Sequence, residues 1–135
     1  MMASTSGVAR IDRAAMERHL ERLEIPADLK ALLANLLETT IRVGEKLVDL
    51  GARVLAFILD FAKTYPGITF GVVVALVLAY LISSVPVVGP VLSPILTPLL
   101  LIVGIGAGAL DDLTDGGMRA RLQALQLQLK TSGVT

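Results

Sequence analysis

Thr64 to Leu110, TYPGITFGVVVALVLAYLISSVPVVGPVLSPILTPLLLIVGIGAGAL, carries no charge, whereas the chain on either side mixes apolar and charged positions at helical spacing. About 20 apolar residues suffice for one helix across a bilayer, and this run is long enough for two. Pro86 and Pro90 bracket Gly89 near its middle, and proline lacks a donor and clashes with the preceding turn. The pattern predicts a helical hairpin, Ile68–Val85 and Val91–Leu110, with Pro86, Gly89 and Pro90 as its turn residues.

Before the hairpin, Ala9 to Glu24 reads as a short amphipathic helix. Ile11, Ala15, Leu20 and Leu23 share a side, and Arg13, Glu17, Arg18, Glu21 and Arg22 stay wet. Ile25-Pro26 ends it, because the residue before proline is pushed out of the helical region. Pro26 then suits the first turn of the next helix, where Asp28 complements the dipole.

Asp28 to Lys63 contains no proline. Leu29, Leu33, Leu36, Thr40, Val43, Leu47, Leu50, Val54, Ile58 and Phe61 follow steps of three and four, a heptad-like seam. The seam predicts one helix of about 54 Å at 1.5 Å per residue, weakened at Gly44 and Gly51, which allow it to bend or pack closely. A seam this long exceeds what the short first helix can cover, so Leu36, Val43, Leu47, Leu50 and Val54 are expected to pair copies of the chain or to lie on the membrane; the alternative is a local bundle with the first helix. Past Arg53 the apolar arc widens towards the hairpin.

Within the first span Gly71, Ala75, Ala79 and Ser83 recur every four residues. Lipid supplies no hydrophobic force between helices, so small residues that permit close backbone approach mark contact faces. Ser93 and Thr97, then Gly104 and Gly108, offer a matching seam on the second span, whose start is loosened by Pro94 and Pro98. Beyond it, Thr114 or Asp115 caps a final amphipathic helix in which Met118, Leu122, Leu125 and Leu129 repeat at four, three and four.

The expected organisation is therefore a tail (1–8), a cytoplasmic amphipathic region (9–63), a transmembrane hairpin (64–110) and a cytoplasmic C-terminal helix and tail (111–135). The fold class is an all-α membrane protein built on a two-span hairpin. Lys46, Arg53 and Lys63 precede the hairpin and Arg119, Arg121 and Lys130 follow it, while the tip has no basic residue. By the positive-inside rule both termini face the cytoplasm, with a bacterial inner membrane as the expected location.

Composition changes this picture only by exclusion. Apolar residues make up 54% and charged ones 18%, with a net charge of zero, so no global field recruits nucleic acid. Without cysteine there is no thiolate metal site or thiol nucleophile. His19, the single histidine, falls on the wet side of its helix. Asp111-Asp112-Leu113-Thr114-Asp115 resembles the aspartate-rich DDxxD motif by which prenyl-transferring enzymes hold magnesium. One copy beside a small hairpin is instead expected to mark the membrane edge. GIGAGA, Gly104 to Ala109, lacks the strand, spacing and lysine of a phosphate loop and is expected to pack. No enzyme, no cofactor and no metal site are expected.

Two functional expectations follow, each with the lipid bilayer as partner. The first is a self-associating scaffold, anchor or membrane-shaping component, a homo-oligomer that contacts other membrane proteins. The second is a pore former, because the segment Ile68 to Lys130 resembles the two-span phage holins in size and hairpin form. A third arrangement, a bundle that hides its apolar hairpin as colicin-type and Bcl-2-like domains do, requires more covering helices than one copy is expected to have.

Overall fold

The computed structural model describes residues 13–104 and 114–131. Over these the chain forms α1 (Arg13–Arg22), α2 (Ala27–Leu37), β1 (Ile41–Val43), β2 (Lys46–Val48), α3 (Leu50–Thr64), α4 (Phe70–Ser84), α5 (Gly89–Val103) and α6 (Gly116–Thr131). A single 3-10 turn, Pro86–Val88, joins α4 to α5. The predominance of helix agrees with the all-α expectation.

Local chemistry sets several of the boundaries. Pro26 stands at the N-cap of α2, with φ −56° and ψ 147°, rather than inside its first turn. Asp115 caps α6 by accepting the Met118 N–H at 2.8 Å. Gly104 ends α5 in the left-handed conformation, φ 75°, and its N–H bonds the Leu100 carbonyl. The expected tail 1–8, Ile11, and the Asp111, Asp112 and Gly108 positions lie outside the described residues.

The expected single helix from Asp28 to Lys63 is replaced by helix, hairpin and helix. Its seam of threes and fours is interrupted by Thr39, Thr40, Ile41 and Val43, β-branched residues that lose side-chain freedom in a helix and favour strands. Gly44 then takes φ +63° while Glu45 does not, the conformation of a two-residue type II′ hairpin loop. The register pairs Ile41 with Val48, Arg42 with Leu47 and Val43 with Lys46. Val48 is buried, whereas Arg42 and Leu47 point outwards.

Two strands alone are marginal in water. The chain closes this one by bringing the end of α2 against the start of α3. Gly51 N–H donates to the Thr39 carbonyl at 2.9 Å, and a Cβ on Gly51 would run into the Leu36 carbonyl. Only glycine permits that approach. Gly51 thus serves close packing, one of the roles expected of it, although between two helices rather than within one long one.

One continuous hydrophobic core runs through the whole assembly, from Met16 and Leu20 of α1 to Met118, Leu122, Leu125 and Leu129 of α6. Among the described residues no polar or charged side chain is buried. α4 lies at the centre, flanked by α3, α5 and α6, with α2 packed on α5 and α1 on α2 and α3. α4 and α5 run antiparallel, since a Cβ on Gly71, near the start of α4, would lie 2.6 Å from Val103 Cγ1 at the end of α5. The predicted helical hairpin is present; its first arm is Phe70–Ser84, and the expected second arm past Gly104 lies outside the described residues.

Two spans are not established: among the described residues only Pro86–Val103, 18 residues with mean hydropathy 2.0, is long and apolar enough to cross a bilayer, and α4 has 15 residues. Fifteen helical residues rise about 22 Å against a hydrocarbon core of about 30 Å. The Pro66-Gly67 turn on one side and Pro86 on the other cut α4 to that length. The turn itself is Val85 and the 3-10 residues, so Pro86 belongs to it, while Gly89 and Pro90 form the first turn of α5.

Candidate membrane-facing surface

α4 and α5 have the same length and neither carries a charge, yet they sit in opposite environments. Eight of the fifteen residues of α4 are buried: Gly71, Val73 to Leu78, and Leu81. On α5 the buried residues are Leu92, Ile95 and Leu99, and only 22% of the window Pro86–Val103 is covered. Val87, Pro90, Pro94, Thr97 and Leu101 follow one another at three and four residues and are all exposed. Leu101 is 80% and Val87 49% exposed. They form an uncharged stripe along the outer side of the bundle.

That stripe was not singled out from sequence. Its spacing is visible there, but the opposite side of α5 is equally apolar, so only the position of α4 decides which side remains outside.

The expected helix-packing residues divide. Gly71 and Ala75 are buried, and Gly71 lets α4 approach Val103 of α5, with Leu29 of α2 also close by. Ala79 is half-buried. Ser83 is exposed and turns its hydroxyl back to the Ala79 and Tyr80 carbonyls, at 2.9 and 3.2 Å. Gly104 is exposed and has a conformational role at the end of α5. The seam therefore packs at its first half, within one chain.

The expected pairing residues also separate. Leu36, Leu50 and Val54 are fully buried in the core of a single chain, Val43 is half-buried in β1, and Leu47 is 67% exposed on β2. A helical seam joining all five does not exist, because β1 and β2 break it and turn Leu47 away from Leu50.

α6 lies along α4 rather than apart from it. Tyr80 Oη donates to Gln126 Oε1 at 3.1 Å, and Gln126 Nε2 donates to the Ser84 carbonyl at 3.4 Å. At its other end, Gly117 sits by the Tyr65 hydroxyl. Arg121 reaches Asp60 of α3 at 3.7 Å, with both side chains well exposed. Phe57, Phe61 and Tyr65 stack along α3, with ring centroids 5.6 and 4.8 Å apart.

Elsewhere, α1 and α2 enclose a half-open cavity of about 360 Å³ lined by Glu17, Leu20, Glu21, Lys30, Ala31, Ala34, Leu37 and Glu38. Lys30 crosses it to bond the Glu21 carbonyl at 3.0 Å. His19 is exposed. Among the described residues no group of three histidine, cysteine, aspartate or glutamate side chains is placed to hold a metal ion.

These features define a helical bundle around a sheathed apolar helix, with a second apolar helix left on its surface. No family model matches the chain, and neither does any curated protein or solved structure.

Proposed function

We propose that this protein is a non-enzymatic membrane-associated scaffold or anchor that meets the bilayer through the outer face of α5. The observation that carries this reading is the uncharged stripe Val87, Pro90, Pro94, Thr97 and Leu101, open to solvent along the full length of α5. Leaving one large apolar side chain wet forfeits about 1.5–3 kcal/mol of burial, and contiguous apolar surface of this kind marks an interaction site. Lipid satisfies such a surface without requiring a complementary shape.

Backbone chemistry supports the same partner. Pro94 and Pro98 sit inside α5 and leave carbonyls without their usual helical donors. At a headgroup boundary, water remains available to those carbonyls, which the middle of a bilayer would deny. The reading is thus of a helix lying at the interface or entering it obliquely. Association between copies, if it accompanies membrane binding, falls to this same face, because Leu36, Leu50 and Val54 are consumed within one chain.

Flotation with liposomes tests the reading. The native chain is expected to float with phospholipid vesicles and Leu101→Asp to remain in the soluble fraction, with an unchanged circular dichroism spectrum. Native protein that stays at the bottom of the gradient would sink the proposal.

A further inference from the structure

α6 contains Arg119, Arg121 and Lys130 and no acidic residue, and all three basic side chains are exposed. Its other side carries Met118, Leu122, Leu125 and Leu129, each buried in the core. A basic amphipathic helix of this kind has two apolar environments open to it, the flank of α4 or the acyl boundary of an anionic membrane. We propose that α6 is a displaceable cover: on an anionic lipid surface it leaves α4 and lies on the headgroups, freeing the α4–α5 hairpin to enter the lipid. This rests on the membrane-contact reading of α5 and adds a partner and a trigger to it.

The contacts between α6 and the rest of the bundle fit exchange. In water the hydrophobic effect holds the two apolar faces together, since parting them would wet both. Lipid tails are as apolar as leucine, so at a membrane that penalty disappears for α4 and for α6 alike. Polar contacts at Gln126 and Arg121 join α6 to α4 and α3. Gln126 makes two neutral hydrogen bonds, to Tyr80 and Ser84, and the Arg121–Asp60 pair is long and solvent-exposed. Exposed pairs of that kind contribute little.

α4 is equally ready for the other environment. It has no charge from Phe70 to Ser84 and is apolar on all sides, the pattern of a helix either wholly enclosed or in lipid. Its exposed Ser83 hydroxyl is already satisfied by its own helix. Removing α6 therefore uncovers no ionised group on α4. The three cationic side chains of α6, in contrast, gain attraction from an anionic leaflet.

The chain has no tryptophan and no cysteine, so probes can be placed singly. Tyr80→Trp reports on the face of α4 beneath α6. Asp60→Cys with Arg121→Cys, both at exposed sites, can be joined by a short bismaleimide containing a reducible disulfide, which ties α6 to α3. With phosphatidylglycerol vesicles carrying brominated acyl chains, the Tyr80→Trp probe is expected to be quenched at least threefold more in the open protein than in the tied one. Reductant should raise quenching of the tied protein to that of the open one, and phosphatidylcholine vesicles should give less than half the quenching. Equal quenching in tied and open protein overturns the cover, and equal quenching on neutral lipid overturns the anionic partner. A Leu101→Trp probe separates the two layers of the argument. If it is quenched while the Tyr80→Trp probe is not, the cover fails alone; if neither is quenched, the membrane reading fails with it.

Discussion

α4 and α5 are near twins in sequence character, each 15 residues long and free of charge, yet α4 is enclosed and α5 is largely bare. The difference does not lie in their apolarity. α4 is reached by α3, α5 and α6, whereas α5 has α4 and α2 and nothing on its outer side among the described residues. Chain connectivity explains the asymmetry. The antiparallel β-hairpin folds α3 back against α2, the tight Val85–Val88 turn folds α5 back against α4, and α6 returns along α4, so α4 is reached from three sides and becomes the centre. An apolar helix in the centre is core, and the same kind of helix at the edge is an interface.

The contrast is sharpest for a charge. Leu78→Asp places a carboxylate at a fully buried site, and is expected to cost upwards of about 4 kcal/mol, enough to unfold the protein. Leu101→Asp, at a site 80% exposed, should change stability by less than about 0.5 kcal/mol while abolishing flotation with vesicles. Chemical denaturation of both variants decides the matter. Similar losses at the two positions would mean that α5 is covered in solution.

Added bulk inside the core on α4 comes next. Ala75 is fully buried, and Ala75→Leu is expected to cost about 2–3 kcal/mol by overpacking. The matching test on the outer face is Thr97→Leu, which should be nearly neutral in denaturation and should strengthen vesicle binding. A similar cost of about 3 kcal/mol is expected from Leu122→Ala, which opens a cavity under α6. The exposed Leu127→Ala on the same helix should leave the melting curve unmoved.

Gly104→Ala has a smaller expected effect, about 1 kcal/mol, because the left-handed backbone at φ 75° strains any side chain although the space around it is open. Thermal melts are sufficient to read it. Smallest is Arg121→Ala, which removes an exposed pair at 3.7 Å and should shift stability by less than about 0.5 kcal/mol. A larger loss would show that α6 is held electrostatically and would weaken its role as a cover.

By itself the sequence determined the parts whose causes are local. The boundary at Pro26, the cap at Asp115, the reversal beginning at Pro86 and the leucine face of α6 follow from single residues or from spacing within one helix. The uncharged stretch marked the hairpin for the same reason, since two neighbouring helices need no distant contact to be recognised. What tertiary structure decided was placement. The repeat from Leu29 to Phe61 satisfies a heptad on paper, but Thr39 to Val43 favour strands and Gly51 fits against the Leu36 carbonyl, so Leu36, Leu50 and Val54 turn into one core. No periodicity distinguishes α4 from α5, because hydrophobicity has no direction and either helix satisfies it equally well in the centre. The choice came from where the chain reverses before and after them, and it left Leu101 outside and Leu78 within.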